Sequence, residues 1–113
     1  MKEILERLDI FLETEIIEEE DSEILKSWLQ FILQKGYTDC DKLSTLFTHT
    51  AMVIHRIRQK ENIARLTEEI IQQIYKSQNI EKAQELYSFI ESKYKINEDE
   101  KDYILLHLCN LIG

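Results

Sequence analysis

The chain has 113 residues, of which 22 are acidic and 14 basic, and a formal net charge of −8 at pH 7. This length fits one domain, and the acidic balance argues against direct binding of nucleic acid, because nucleic-acid readers are usually basic. Proline is absent, and glycine occurs only at Gly36 and Gly113. So few turn residues disfavour a β-sandwich or a dinucleotide-binding sheet, and one internal glycine excludes a glycine-rich phosphate loop. We therefore expect a single all-α domain over residues 1–113.

The sequence carries no sign of export or membrane insertion. Acidic residues interrupt the first apolar stretch, unlike a signal peptide, and no window approaches the roughly 18 apolar residues that span a bilayer. The two cysteines, Cys40 and Cys109, form no metal motif and are interpreted as reduced, small apolar residues. These features predict a cytoplasmic protein with no membrane contact, no metal and no cofactor.

Apolar residues at three- and four-residue spacing predict helices from the amino terminus onward. The first helix is expected from about Lys2 to Glu19, and its many acidic residues are read as a solvated face. An acidic run over residues 18–21 interrupts the pattern. Asp21 or Ser22 is then expected to cap a second helix, which Gly36 ends.

The second half of the chain continues in the same way. Asp39 or Asp41 is expected to open a long third helix that ends in the basic turn 56–60, which favours the negative end of a helix dipole. A fourth helix is predicted over about Asn62 to Ser77. Asn79 is expected to cap the fifth helix.

The sixth helix is predicted to open at Asn97, which together with Glu100 resembles a capping box. Helices of this length with short connections predict a compact antiparallel bundle of five to six helices. The second helix carries more apolar residues than one packing contact needs, which predicts a two-fold symmetric homodimer. The residues behind this expectation are Trp28, Leu29, Phe31 and Leu33.

Two of the three histidines have a charged residue at a matched distance. His49 precedes Arg56 by seven residues, and Glu100 precedes His107 by seven. Seven residues are about two helical turns, so each pair projects from nearly the same side of its helix. His55 has no such partner and is interpreted as a surface residue. The sequence has no HExxH motif and no cluster of Cys and His ligands, so we expect no catalytic or metal site.

These two motifs resemble those of the PRD family, the regulation domains of the bacterial sugar phosphotransferase system (PTS) found in regulators such as BglG-type antiterminators. The resemblance covers about residues 43–111, whereas the acidic segment 1–21 matches poorly. It implies a helical bundle that forms homodimers. It also implies that the motif histidines accept phosphoryl groups from HPr or from a sugar-specific enzyme II component.

By this resemblance, His49 and His107 are the candidate phosphoryl acceptors, and Arg56 and Glu100 are the residues that orient them or contact phosphate. The domain would then be a phosphorylation substrate and not an enzyme. It would control sugar-utilisation genes through contact with a partner regulator protein. No RNA-binding module or second PRD is visible, and the start at Met1 favours a stand-alone protein.

Two other interpretations remain open. The chain is alternatively a helical adaptor or dimerisation protein that keeps the PRD fold, is not phosphorylated and uses its histidines for structure. An enzyme is the third class, although no nucleophile–base set is visible. The sequence does not specify the sugar, the donor, the downstream target or the sign of the effect.

Overall fold

The computed structural model describes residues 1–113, which fold into six helices that cover 74% of the chain, with no strand. The predicted all-α bundle is therefore confirmed. The helices are α1 (Lys2–Glu13), α2 (Glu19–Gln34), α3 (Cys40–Gln59), α4 (Glu68–Lys76), α5 (Ile80–Glu91) and α6 (Glu98–Ile112). None of them is long and apolar enough to cross a membrane.

The first helix is shorter than predicted. It ends at Glu13, and Glu15 adopts a left-handed backbone conformation with φ 62°. The prediction that Asp21 or Ser22 caps α2 is wrong, because Glu18 is the N-cap residue. Asp21 lies in the first turn, where its carboxylate accepts a hydrogen bond of 2.8 Å from the backbone N–H of Glu18 and so closes a capping box.

The fourth helix begins six residues later than predicted. Lys60 ends α3 in a left-handed conformation with φ 56°, and residues 61–67 are not helical. Thr67 then caps α4 by accepting a hydrogen bond from the N–H of Ile70. Ile63, predicted to be helical, lies in this non-helical connection.

The other expected helix starts are present. Asp39 caps α3 by accepting from the N–H of Lys42, and Asn97 caps α6 by accepting from the N–H of Glu100. Asn79 is the N-cap residue of α5, but its side chain makes no capping hydrogen bond. The Asn97 capping box is only half formed, because the Glu100 side chain turns elsewhere.

The core contains Trp28 and Leu29, which are almost fully buried within one chain. The Trp28 ring packs on Phe47 with centroids 5.1 Å apart, and its Nε1–H donates a 2.9 Å hydrogen bond to the Leu86 carbonyl. Assigning these two residues to a surplus apolar surface was therefore wrong. Phe31 is half-buried and stacks on Phe89. The sequence argument for a homodimer loses Trp28 and Leu29, and the homodimer stays a prediction.

Helix α3 lies at the centre of the arrangement that positions the candidate site. It packs against α6 on one side and against α1 on another. The α3–α6 contact brings together the two segments that carry the matched histidine motifs.

Candidate functional site at the α3–α6 contact

The two motif histidines meet where α3 and α6 face each other. The ring centroids of His49 and His107 are 5.0 Å apart, with the ring planes inclined at 51°. Both residues are half-buried. The structure thus places the two sequence-predicted histidines side by side, on facing helices.

The two charged motif residues also pair across this contact. The Arg56 guanidinium donates to both Glu100 carboxylate oxygens, from Nε to Oε2 at 2.7 Å and from Nη2 to Oε1 at 2.9 Å. The Glu100 side chain is only 2% exposed and that of Arg56 is 18% exposed. A two-bond pair of this kind fixes the orientation of both side chains. All four predicted residues therefore belong to one cluster.

The electrostatics of the cluster keep the histidines neutral. Burial, with smaller contributions from the neighbouring His107 ring and Arg56 and an opposing one from Glu100, lowers the pKa of His49 to about 4. Burial also lowers the pKa of His107. At pH 7 each ring therefore keeps one nitrogen with a free electron pair, which is the form that acts as a nucleophile.

The ring of His49 has an unusual environment. It stacks on Tyr103 of α6, with centroids 5.4 Å apart. Its Nε2 atom is buried and has no hydrogen-bond partner, whereas neither ring nitrogen of His107 is both buried and without a partner. Sequence reasoning assigned Tyr103 only to an apolar stripe. Its position four residues before His107, on the same helix face, was the available signal.

The histidine pair borders an open cleft of about 430 Å³, called here the histidine cleft. The His107 ring also borders an adjacent groove of about 270 Å³, so it reaches the surface on two sides. No carboxylate lines the histidine cleft itself. Its lining residues are Arg7, Thr45, Thr48, His49, Met52, Arg56, Ile63 and His107.

Arg7 enters the histidine cleft from α1, and sequence reasoning missed it. Its Nη1 donates a 2.9 Å hydrogen bond to the Oγ1 of Thr48, the residue before His49. The two residues are 41 positions apart, and no local motif links them.

The remaining side chains with reactive groups lie elsewhere. His55 is half-buried on α3, more enclosed than the surface position expected of it, and does not line the cleft. Both cysteines are free, Cys40 half-buried and Cys109 buried. No group of three or more His, Cys, Asp or Glu residues is arranged to hold a metal ion.

A second buried ion pair lies outside the histidine cleft. Asp21, whose side chain is 1% exposed, accepts two hydrogen bonds from Arg58 and one of 2.6 Å from the hydroxyl of Tyr94. Burial alone would raise the pKa of Asp21, but hydrogen bonds from Arg58, Tyr94 and the backbone of Glu18 lower it below its ordinary value. This Asp21 cluster ties α2 to the end of α3 and to the segment after α5.

The chain is a helical bundle in which two histidines pair, and each lies seven residues from one member of a buried Arg–Glu pair. This is the arrangement that the PRD motifs imply. The family model described as PRD domain matches residues 22–111. The chain therefore belongs to the PRD domain family, the regulatory domains of the PTS. The match begins in α2, ahead of residue 43, and leaves α1 outside. No curated protein and no solved structure matches the chain.

Proposed function

We propose that this chain is a PTS-linked regulatory domain that accepts phosphoryl groups on His49 and His107 and acts through protein–protein contacts to control sugar-utilisation genes. HPr or a sugar-specific enzyme II component is the donor. The observation that carries the proposal is the pair of rings 5.0 Å apart at the edge of a cleft with arginines and no carboxylate. Membership of the PRD family supports it independently.

The chemistry needs little from the acceptor domain beyond a positioned, neutral imidazole. The free electron pair of a ring nitrogen forms a bond to the phosphorus carried by the donor's phosphorylated side chain. The donor's bond to that phosphorus breaks, its electrons stay on the donor side chain, and the proton that the acceptor ring gives up passes to the donor or to water. The lowered pKa of His49 supports this role, because a protonated ring has no electron pair to offer. Arg56 supplies a cation beside the incoming phosphoryl group.

His107 is the more accessible acceptor of the two. It borders both the histidine cleft and the adjacent groove, whereas the Nε2 of His49 is buried. We therefore expect His107 to be labelled first. Labelling of His49 requires the ring to turn out of its stack on Tyr103.

A phosphoryl group on either ring changes the charge of the α3–α6 contact. It adds up to two negative charges and several acceptor oxygens beside Arg56, in a chain already at −8. A charge of this size at a packed contact biases the choice between two arrangements of the helices or of a homodimer. A partner regulator protein would bind one of these arrangements in preference to the other.

The decisive experiment is phosphoryl transfer with phosphoenolpyruvate, the general PTS proteins and a set of enzyme II components. The wild type is compared with His49→Ala, His107→Ala and the double variant. His55→Ala is the matched control, because it removes a histidine of α3 that does not line the cleft. Acid-labile, base-stable label is expected on the wild type and the control.

The outcomes separate the candidates. The double variant should carry no label, and each single variant should lose part of it at a stability cost of about 1 kcal/mol or less. Label that persists in the double variant, or a wild type that no donor labels, contradicts the proposal. Sedimentation of labelled and unlabelled protein then tests the homodimer, which is expected to change its dissociation constant more than twofold.

One observation favours the adaptor alternative. The Nε2 of His49 is buried, and its ring stacks on Tyr103 and packs at an angle against His107, as in a histidine used for packing. In an adaptor, His49→Ala would lower the free energy of unfolding while no donor labelled the wild type. The same set of variants therefore distinguishes the two functions.

A further inference from the structure

We infer that Arg7 of α1 is a second phosphate-binding residue beside Arg56, placed to contact the phosphoryl group carried by the histidine pair. This inference rests on the proposed function for the source of the phosphate. It adds a residue from the one helix that lies outside the family match, which covers residues 22–111.

The first observation is the pairing of the arginines. The chain has four, and three of them pair with carboxylates: Arg56 with Glu100, Arg58 with Asp21 and Arg65 with Glu68. Arg7 has no carboxylate partner, although α1 itself carries acidic residues. Its one hydrogen bond goes to the hydroxyl of Thr48, which is neutral.

The second observation is where this unpaired cation lies. Arg7 lines the same cleft as His49, His107 and Arg56. The cleft has no acidic lining residue, in a protein with 22 acids and 14 bases. An anion in the cleft would therefore meet the Arg7 guanidinium, which no carboxylate pairs, and the N–H groups of Arg56 that Glu100 leaves free.

The third observation concerns the donors that each arginine has free. Arg56 donates to Glu100 from both Nε and Nη2, whereas Arg7 donates to Thr48 from Nη1 only. A guanidinium has five N–H groups in a planar fork that matches phosphate oxygens. Arg7 thus keeps an unused edge, while Thr48 fixes its position at the residue next to His49.

These contacts assign different tasks to the two arginines. Arg56 is fixed by Glu100 and orients the α3–α6 contact, whereas Arg7 is exposed and available to the anion. Because Arg7 belongs to α1, a phosphoryl group that binds it also joins α1 to the α3–α6 contact. Phosphorylation would then change the contacts of α1, a helix that carries no acceptor histidine.

Inorganic phosphate is the first probe, because its binding does not depend on any donor protein. Titration followed by NMR of the wild type should shift the Thr48 amide and the ring signals of His107. Arg7→Gln should weaken phosphate binding about tenfold, since a charge-assisted hydrogen bond is lost. Two matched controls, Lys2→Gln on the same helix and Arg65→Gln elsewhere, should stay within twofold of the wild type.

Equal phosphate affinity for Arg7→Gln and the two controls would overturn the inference, as would a wild type that binds no phosphate in the cleft. A second arm uses phosphoryl transfer, in which Arg7→Gln should be labelled several times more slowly than Lys2→Gln. If no donor labels the wild type but Arg7→Gln still loses phosphate binding, the proposed function fails and the anion site stands. If the wild type is labelled and Arg7→Gln behaves like the controls in both arms, the inference alone fails.

Discussion

Arg56 and Arg58 are two residues apart on α3, and each donates two hydrogen bonds to a buried carboxylate. Two residues turn a helix by about 200°, so the two guanidinium groups point to nearly opposite sides. Arg56 meets Glu100 beside the histidines, and Arg58 meets Asp21 at the junction of α2 with the segment after α5. The same chemistry therefore serves a candidate site on one side and the fold on the other.

The two pairs differ in what else the carboxylate binds. Glu100 accepts only from Arg56. Asp21 accepts from Arg58, from the Tyr94 hydroxyl and from the Glu18 backbone, so it closes a helix cap as well as an ion pair. A carboxylate with more donors stabilises the fold more when present and leaves more unsatisfied groups when lost. Loss of Asp21 should therefore lower the free energy of unfolding more, whereas loss of Glu100 should change the histidine cleft more.

The largest expected effect is that of Asp21→Asn. The amide cannot accept all four hydrogen bonds or balance Arg58, and removing one partner of a buried pair is strongly destabilising. The free energy of unfolding, measured by denaturant titration, should fall by about 3 kcal/mol, a discounted value because Arg58 is partly exposed. Phosphoryl labelling should be unchanged. Glu20→Gln, an exposed neighbour, is the control, and an equal loss in both variants would refute this role of Asp21.

Glu100→Gln is expected to have a smaller effect on stability and a larger one on the site. The free energy of unfolding should fall by about 2 kcal/mol, because Arg56 loses a charged partner but remains beside an open cleft. The pKa of His49, measured by NMR titration, should fall further, since Glu100 is the group that raises it. Glu98→Gln in the same helix turn is the control. An unchanged pKa of His49 would show that the pair does not act on the histidines.

Acidification should weaken the two regions in separate pH windows. His49 has a pKa of about 4 in the folded chain against an ordinary value of 6.5. The unfolded chain therefore binds the proton first, and the free energy of unfolding falls as the pH drops from about 6.5 to 4. The pKa of Asp21 is lowered below 3.8, so its contribution is present above that value and is lost only at lower pH.

The measurement is denaturant unfolding between pH 7 and pH 3 for the wild type, His49→Gln and Asp21→Asn. The His49 variant should show a flatter profile between pH 6.5 and 4, and the Asp21 variant a flatter profile below 4. Three parallel curves would contradict both assignments.

Tyr94→Phe should have the smallest effect and isolates one bond of the Asp21 cluster. The substitution removes only the hydroxyl that donates to Asp21 at 2.6 Å. A loss of about 1 kcal/mol in the free energy of unfolding is expected. Tyr37→Phe is the control, because the hydroxyl of Tyr37 makes no hydrogen bond to the rest of the chain. If the two variants are equally stable, the Tyr94 hydroxyl adds nothing to the cluster.

The contrast between the two arginines also shows what the sequence could reveal. Arg56 and Glu100 were predictable, because each lies seven residues from a histidine and the helical repeat keeps both members of such a pair on one side. The caps at Asp39 and Asn97 were predictable for the same reason, since a cap depends on neighbours three residues away. Periodicity likewise fixed the helical class of the whole chain.

Interactions between distant segments were not predictable. Asp21 was expected only as a candidate cap of α2, and its partners Arg58 and Tyr94 are 37 and 73 positions away. Trp28 looked like surplus surface, because periodicity marks an apolar face without saying which helix covers it. The break at residues 61–67 depends on the left-handed conformation of Lys60, which a non-glycine residue seldom adopts.

The buried Nε2 of His49 makes the packing of its ring beside the histidine cleft a frustrated contact. A ring nitrogen removed from water without a partner raises the free energy of that arrangement by about 1–3 kcal/mol. Any movement that turns the ring toward water, a donor protein or a phosphate oxygen recovers this free energy. The His49 ring is thus held inward by packing against Tyr103 and His107, while its own polar atom favours turning outward. A local conflict of this kind lowers the free-energy cost of a rearrangement at one edge of an otherwise consistent bundle.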